Sequence, residues 1–212
     1  MRRLILAVLW TGSVFGQGTL GIFTNSGDVG GPSRKGSAEY DPAKKQYRIT
    51  GAGANMWAKE DQFQYVWREL SGNFSLAATM EFLGKGADHR KAGIVVRQTL
   101  DTDSPYLDII IHGNGMPGIQ WRHTKGDITD AVDFPFDAPS KYKLKLVRQG
   151  SAFGIWIAKG DAELKELGHT QVALGNPVLV GLAVCSHDAN ASDTVVFSDV
   201  SLAQLVVPAA KK

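Results

Sequence analysis

Apolar residues in this chain recur at every second position far more often than at every third or fourth, and the runs are short. Tyr142, Leu144 and Leu146 alternate with Lys141, Lys143 and Lys145. A period of two is the mark of a pleated strand with one face in a core and the other elsewhere. Turn signals split the runs, among them Ser71-Gly72-Asn73, Gly113-Asn114-Gly115 and Gln149-Gly150. The pattern predicts strands near 20–24, 46–50, 62–69, 73–83, 92–98, 106–112, 117–122, 142–148, 153–158, 170–174, 178–186 and 194–202. The segment DAELKEL, 161–167, is bracketed by Gly160 and Gly168 and reads equally as a helical turn or as a hairpin arm. Many short strands with tight turns predict an all-β sandwich or barrel.

The same alternation sorts side chains onto faces. Ile94 and Val96 oppose Gly93, Val95 and Arg97; Leu107, Ile109 and Ile111 oppose Asp108, Ile110 and His112. Ile119 and Trp121 oppose Gln120 and Arg122, and Val178, Val180, Leu182 and Val184 oppose Leu179, Gly181, Ala183 and Cys185. One face of several strands is therefore bulky and apolar, while the other is small at its centre and carries polar groups. Such a sheet suits a hollow in which aromatic rings stack on sugar C–H faces and planar polar groups bind hydroxyls. In FQYVWR, Phe63, Tyr65 and Trp67 share one face. Phe63 is assigned to packing; Tyr65, Trp67 and the loop residue Trp57 stand between core and groove.

Length and charge narrow the class. The 212 residues, 43% hydrophobic and with a net charge of +2, suffice for one domain with a real core and carry no basic stripe for nucleic acid. Arg2 and Arg3, the apolar run 4–10, and the small residues Val14 and Gly16 predict a signal peptide over 1–16. That leaves a single domain over 17–205, a frayed tail over 206–212, no membrane span after cleavage, and a secreted or periplasmic protein. The one cysteine, Cys185, sits in an apolar run and is read as a buried, inert thiol. The five histidines show no short metal-ligand spacing.

Four stretches together carry a resemblance: DQFQYVWRELSGNFSLAATMEF, AGIVVRQ, GIQWRH and VLVGLAVCSHDANASDTVVFSDVSL. From about Gly21 to Leu202 the chain resembles exported bacterial domains of the concanavalin A-like lectin/glucanase superfamily. Within it, the likeness is to the laminin-G-like branch named for regulation of enolase. The resemblance implies a two-sheet antiparallel jelly-roll sandwich that binds sugar in some members and cleaves glycans in others. It also makes a structural calcium conceivable on the convex face, with Asp28 and Asp199 as candidate ligands if the first and last strands adjoin. No other cofactor is expected.

The glucanases of that superfamily carry Glu-x-Asp followed shortly by a second Glu, and this chain offers Glu81 alone in TMEFLG. Retaining glycoside hydrolysis needs two carboxyl groups about 5 Å apart. Asp108 is a partner for Glu81 only if their strands adjoin. The leading expectation is therefore a non-catalytic domain that binds a glycan or other small polar ligand. Its candidate contacts are Trp57, Tyr65, Trp67, Arg97, Asp108, His112, Gln120, Arg122 and His187. One alternative is a glycoside hydrolase or lyase, with His112 or His187 as acid/base beside Asp108 or Glu81. The other is a protein-interaction domain of the cell envelope.

Overall fold

A computed structural model of the chain describes residues 20–135 and 141–205. The expected signal peptide and tail lie outside these residues. In chain order the strands are β1 (Asn25–Val29), β2 (Ser37–Asp41), β3 (Gln46–Gly53), β4 (Met56–Trp57), β5 (Glu60–Asp61), β6 (Phe63–Leu70), β7 (Asn73–Leu83) and β8 (Lys91–Arg97). They continue with β9 (Tyr106–His112), β10 (Pro117–Arg122), β11 (Asp130–Asp133), β12 (Tyr142–Gln149), β13 (Ala152–Lys159), β14 (Lys165–Gln171), β15 (Val178–Cys185) and β16 (Asp188–Leu205). Among the described residues no helix is long and apolar enough to cross a membrane.

Fourteen of these strands form two seven-stranded antiparallel sheets, ordered β1-β6-β15-β8-β9-β10-β11 and β14-β13-β12-β7-β16-β3-β2. This is an all-β jelly-roll sandwich. The core is built by the alternation described above. Ile94, Val96, Leu107, Ile109, Val180 and Leu182 of the first sheet meet Ile49, Leu76, Met80, Leu144, Leu146 and Phe197 of the second. Each is buried, and those of β8, β9, β12 and β15 lie on the apolar face that alternation assigned. Two inner faces interdigitating in this way are what hold such a sandwich together.

The predicted strand at 20–24 is corrected to 25–29, the one at 170–174 to 165–171, and strands 37–41 and 130–133 were not predicted. All four lie at sheet edges: β1 and β11 bound the first sheet, β14 and β2 the second. Their residues are polar and largely exposed, as in SAEYD and KELGHTQ. An edge strand with little to bury shows no alternation, and polar edges discourage pairing with other chains. DAELKEL is a hairpin arm, its second half being the start of β14 after a turn at Gly160.

The outer face of the first sheet is also partly covered. The hairpin β4–β5 folds over it, and Met56 joins Val29, Phe63, Tyr65, Val95, Leu179, Ala183 and Cys185 in a second buried apolar cluster. Gly93 and Gly181 lie at the middle of this face. A methyl group there would stand 2.0 Å from the Ile109 carbonyl oxygen and 1.9 Å from that of Val66, so only glycine fits between the strands.

Candidate functional site

Three charged residues anchor the hairpin to the sheet. Arg97 and Arg122 project from β8 and β10, and Asp61 reaches down from β5. Asp61 accepts from Arg122 at 2.9 and 3.0 Å and from Arg97 at 3.3 Å. All three are essentially inaccessible to water: Arg97 0%, Arg122 0%, Asp61 1%. Burial pushes the Asp61 carboxyl upward, and the two guanidinium groups pull it back. Arg122 also donates to the carbonyls of Ala58, Ser104 and Asp127, and Arg97 to those of Thr99 and Asp101. The two arginines share the face that alternation gave them, but their donors are engaged in holding loops and hairpin. Tyr65 is likewise buried, donating to the carbonyls of Val95 and Leu179 at 3.0 Å each.

Beside the hairpin a hollow of about 260 Å³ opens on the same face. Its floor is Lys91, His112 and Gln120, from β8, β9 and β10. Trp57 of the hairpin and Asn55 just before it form one wall, while His89, His187, Met116 and Asp133 complete the rim. Lys91 donates to Asn55 Oδ1 at 2.8 Å and to the Met56 carbonyl at 2.9 Å, and its ammonium lies 5.3 Å from the centre of the Trp57 ring. This lysine ties the wall to the floor.

The floor carries polar atoms with no partner. Gln120 Oε1 and His112 Nε2 are buried without a hydrogen bond among the described residues. Buried polar atoms are normally paired, and leaving one unpaired costs about 1–3 kcal/mol. His112 Nδ1 faces His89 Nδ1 at 3.4 Å, and its Nε2 stands 4.0 Å from Asp133 Oδ1. Burial, reinforced by Lys91 and the neighbouring imidazoles, pushes the His112 pKa down to about 3, so the ring is neutral. His187 is lowered by the same causes, burial first. Asp108 is fully buried, which raises its carboxyl well above the usual range, with Lys91 the main opposing charge. The floor thus combines the Lys91 ammonium with a neutral imidazole and a carboxamide, and the latter two carry unsatisfied atoms.

Of the sequence-derived candidates, Trp57, His112, Gln120 and His187 converge on this hollow. Asp108 lies beneath it, paired in register with Gln120. Tyr65, Arg97 and Arg122 lie under or against the hairpin. Trp67 stacks on Tyr65, with centroids 5.3 Å apart and planes at 13°, and lines a separate depression with Asn25, Glu69 and Leu179. Glu81 does not adjoin Asp108: it belongs to β7 of the other sheet, is half exposed and pairs with Lys141 at 3.7 Å. Asp28 and Asp199 do not lie on adjacent strands either. Asp28 accepts from the Gly36 amide at 3.0 Å, and the Gln64 amide, turned to donate, reaches it at 2.9 Å. Asp199 has a φ of 52° where β16 shifts register against β7, so it marks a bulge. Among the described residues no group of three or more His, Cys, Asp or Glu is arranged to hold a metal ion. The Cys185 thiol is buried and pushed up to about 11, as an inert thiol should be.

Sequence reasoning missed Asn55, His89, Lys91, Met116 and Asp133. Lys91 was within reach, since it continues the 93, 95, 97 alternation; the others come from turns and an edge strand, where no periodicity speaks.

Neither a protein-family model nor a curated protein matches the chain. Solved structures do. A functionally unknown protein from Saccharomyces cerevisiae matches with a TM-score of 0.65 at 16% identity, over 81% of this chain and 93% of the other. The carbohydrate binding module CBM66 from Bacillus subtilis matches at 0.54 and 16% identity, over 85% and 96%. These proteins share the two-sheet β-sandwich fold of this chain. A seed lectin isoform from Lotus tetragonolobus shares it at a TM-score of 0.53 and 6% identity, over 82% and 92%. The chain spans only 33% of another match, the GH43B protein of a Bacteroides ovatus xyloglucan locus. At these identities the likeness is one of fold.

Proposed function

We propose that this is an exported, non-catalytic carbohydrate-binding domain of the concanavalin A-like, laminin-G-like kind, secreted or periplasmic, which takes a sugar in the hollow beside Trp57. The observation that carries the reading is the pairing of a partly buried indole wall with two buried groups that have no hydrogen bond, Gln120 Oε1 and His112 Nε2, on the floor. A hydroxyl both donates and accepts, so it satisfies the glutamine oxygen and either tautomer of the imidazole. Sugar C–H faces suit the Trp57 ring. The lectin and the carbohydrate binding module that share the fold support this reading. So does the lining, in which Asp133 is the one carboxylate among the described residues, where canonical glycoside hydrolysis uses two.

The test is a broad glycan array probed with the full chain, its Trp57→Ala variant and its Gln120→Leu variant. Binding by the parent that falls at least tenfold in both variants supports the reading. An array with no bound glycan, or binding indifferent to both substitutions, refutes it.

A further inference from the structure

The hollow is one end of a divided surface. Along the outer face of the first sheet, Trp57 and Trp67 each line a depression, and the β4–β5 hairpin lies between them. This barrier is fixed. Met56 is 1% exposed in the apolar cluster, Asp61 is clamped by Arg97 and Arg122, and the Ala58 carbonyl accepts from Arg122 and from the Thr129 amide and hydroxyl. Lys91 pins the near side through Asn55 and the Met56 carbonyl. An extended glycan cannot run along the strands from one depression to the other without displacing a buried ion-pair network.

Size points the same way. The hollow holds about 260 Å³, below the roughly 300–1,000 Å³ of sites that enclose drug-sized molecules. That is room for one sugar ring against Trp57, with its hydroxyls on Gln120 and His112, and not for several rings in a row. Resting on the proposed glycan-binding role, we infer that the domain recognises the terminal residue of a glycan chain, the remainder of the chain leaving to solvent on the side away from the hairpin.

The probes are the methyl glycoside, dimer and hexamer of β-1,4-linked glucose, xylose and mannose, together with the same length series for any other linear glycan bound on the array, titrated calorimetrically into the full chain. For the series that binds, the expected result is affinity within about threefold from methyl glycoside to hexamer and one protein per chain at saturation. Trp67→Ala is expected to leave affinity within twofold of the parent, while Trp57→Ala lowers it at least tenfold. Affinity rising tenfold or more between dimer and hexamer, more than one protein per hexamer, or a tenfold loss in Trp67→Ala overturns terminal recognition while leaving glycan binding intact. Absence of binding by every array glycan and every probe overturns the binding role itself and this inference with it.

Discussion

Replacing Asp61 by Asn tests the barrier on which the shape of the site depends. In the parent, one carboxylate with 1% exposure is shared by two guanidinium groups with none, at 2.9 to 3.3 Å, and offsets part of their charge. Asparagine keeps the size and removes the charge, leaving two buried cations uncompensated. Breaking a buried ion pair from one side costs about 3–5 kcal/mol. In a protein of 150–250 residues each kcal/mol lowers Tm by roughly 2–4 °C, so the variant should melt roughly 6–20 °C below the parent. Circular dichroism melts at pH 7 measure this directly. A companion variant, Asp61→Leu with Arg97→Met and Arg122→Leu, removes all three charges and should recover most of the loss, because buried ion networks can be exchanged for apolar packing at little cost. A Tm change below about 2 °C in Asp61→Asn would show that the hairpin does not seal this face.

Other consequences follow from the same geometry. His112 has a folded pKa near 3 against about 6.5 when unfolded, so the unfolded chain binds the extra proton in between, and stability is lost as pH falls from about 6.5 towards 3. The slope is about 1.4 kcal/mol per pH unit, and His112→Gln should flatten it by that amount in urea titrations compared pH by pH; Asp108, raised by burial, acts in the opposite sense in both proteins. Leu182→Ala, fully buried between the sheets, should cost about 2–5 kcal/mol in the same assay, and a cost below about 1 kcal/mol would contradict the core assignment. Glu81→Gln should leave sugar binding unchanged on the array, since Glu81 lies on the other sheet with Lys141.

The inner core was legible in the sequence because central strands bury one face completely, and burial writes the period of two into the residues. Val180, Leu182 and Val184 show this, as do Tyr142, Leu144 and Leu146. Edge strands such as SAEYD bury little and left no such trace. The outer face was legible only in part. Alternation placed Arg97, Asp108, His112, Gln120 and Arg122 on one surface, but it carries no information on what covers that surface. The cover is a short hairpin from the loop before β6, whose Asp61 lies far along the chain from both arginines. It turned two candidate ligand contacts into anchors and left the histidine and glutamine at the open end. Residues such as Asn55 and His89 enter the hollow from turns, and only the folded chain brings them there.

The most direct measurement is a crystal structure of the full chain grown with the strongest-binding glycan of the array. The account predicts a terminal sugar ring packed on Trp57, with hydroxyl oxygens about 2.7–3.0 Å from Gln120 Oε1 and His112 Nε2. A sugar bound instead in the depression at Trp67, or on the outer face of the second sheet with the Trp57 hollow empty, would contradict it.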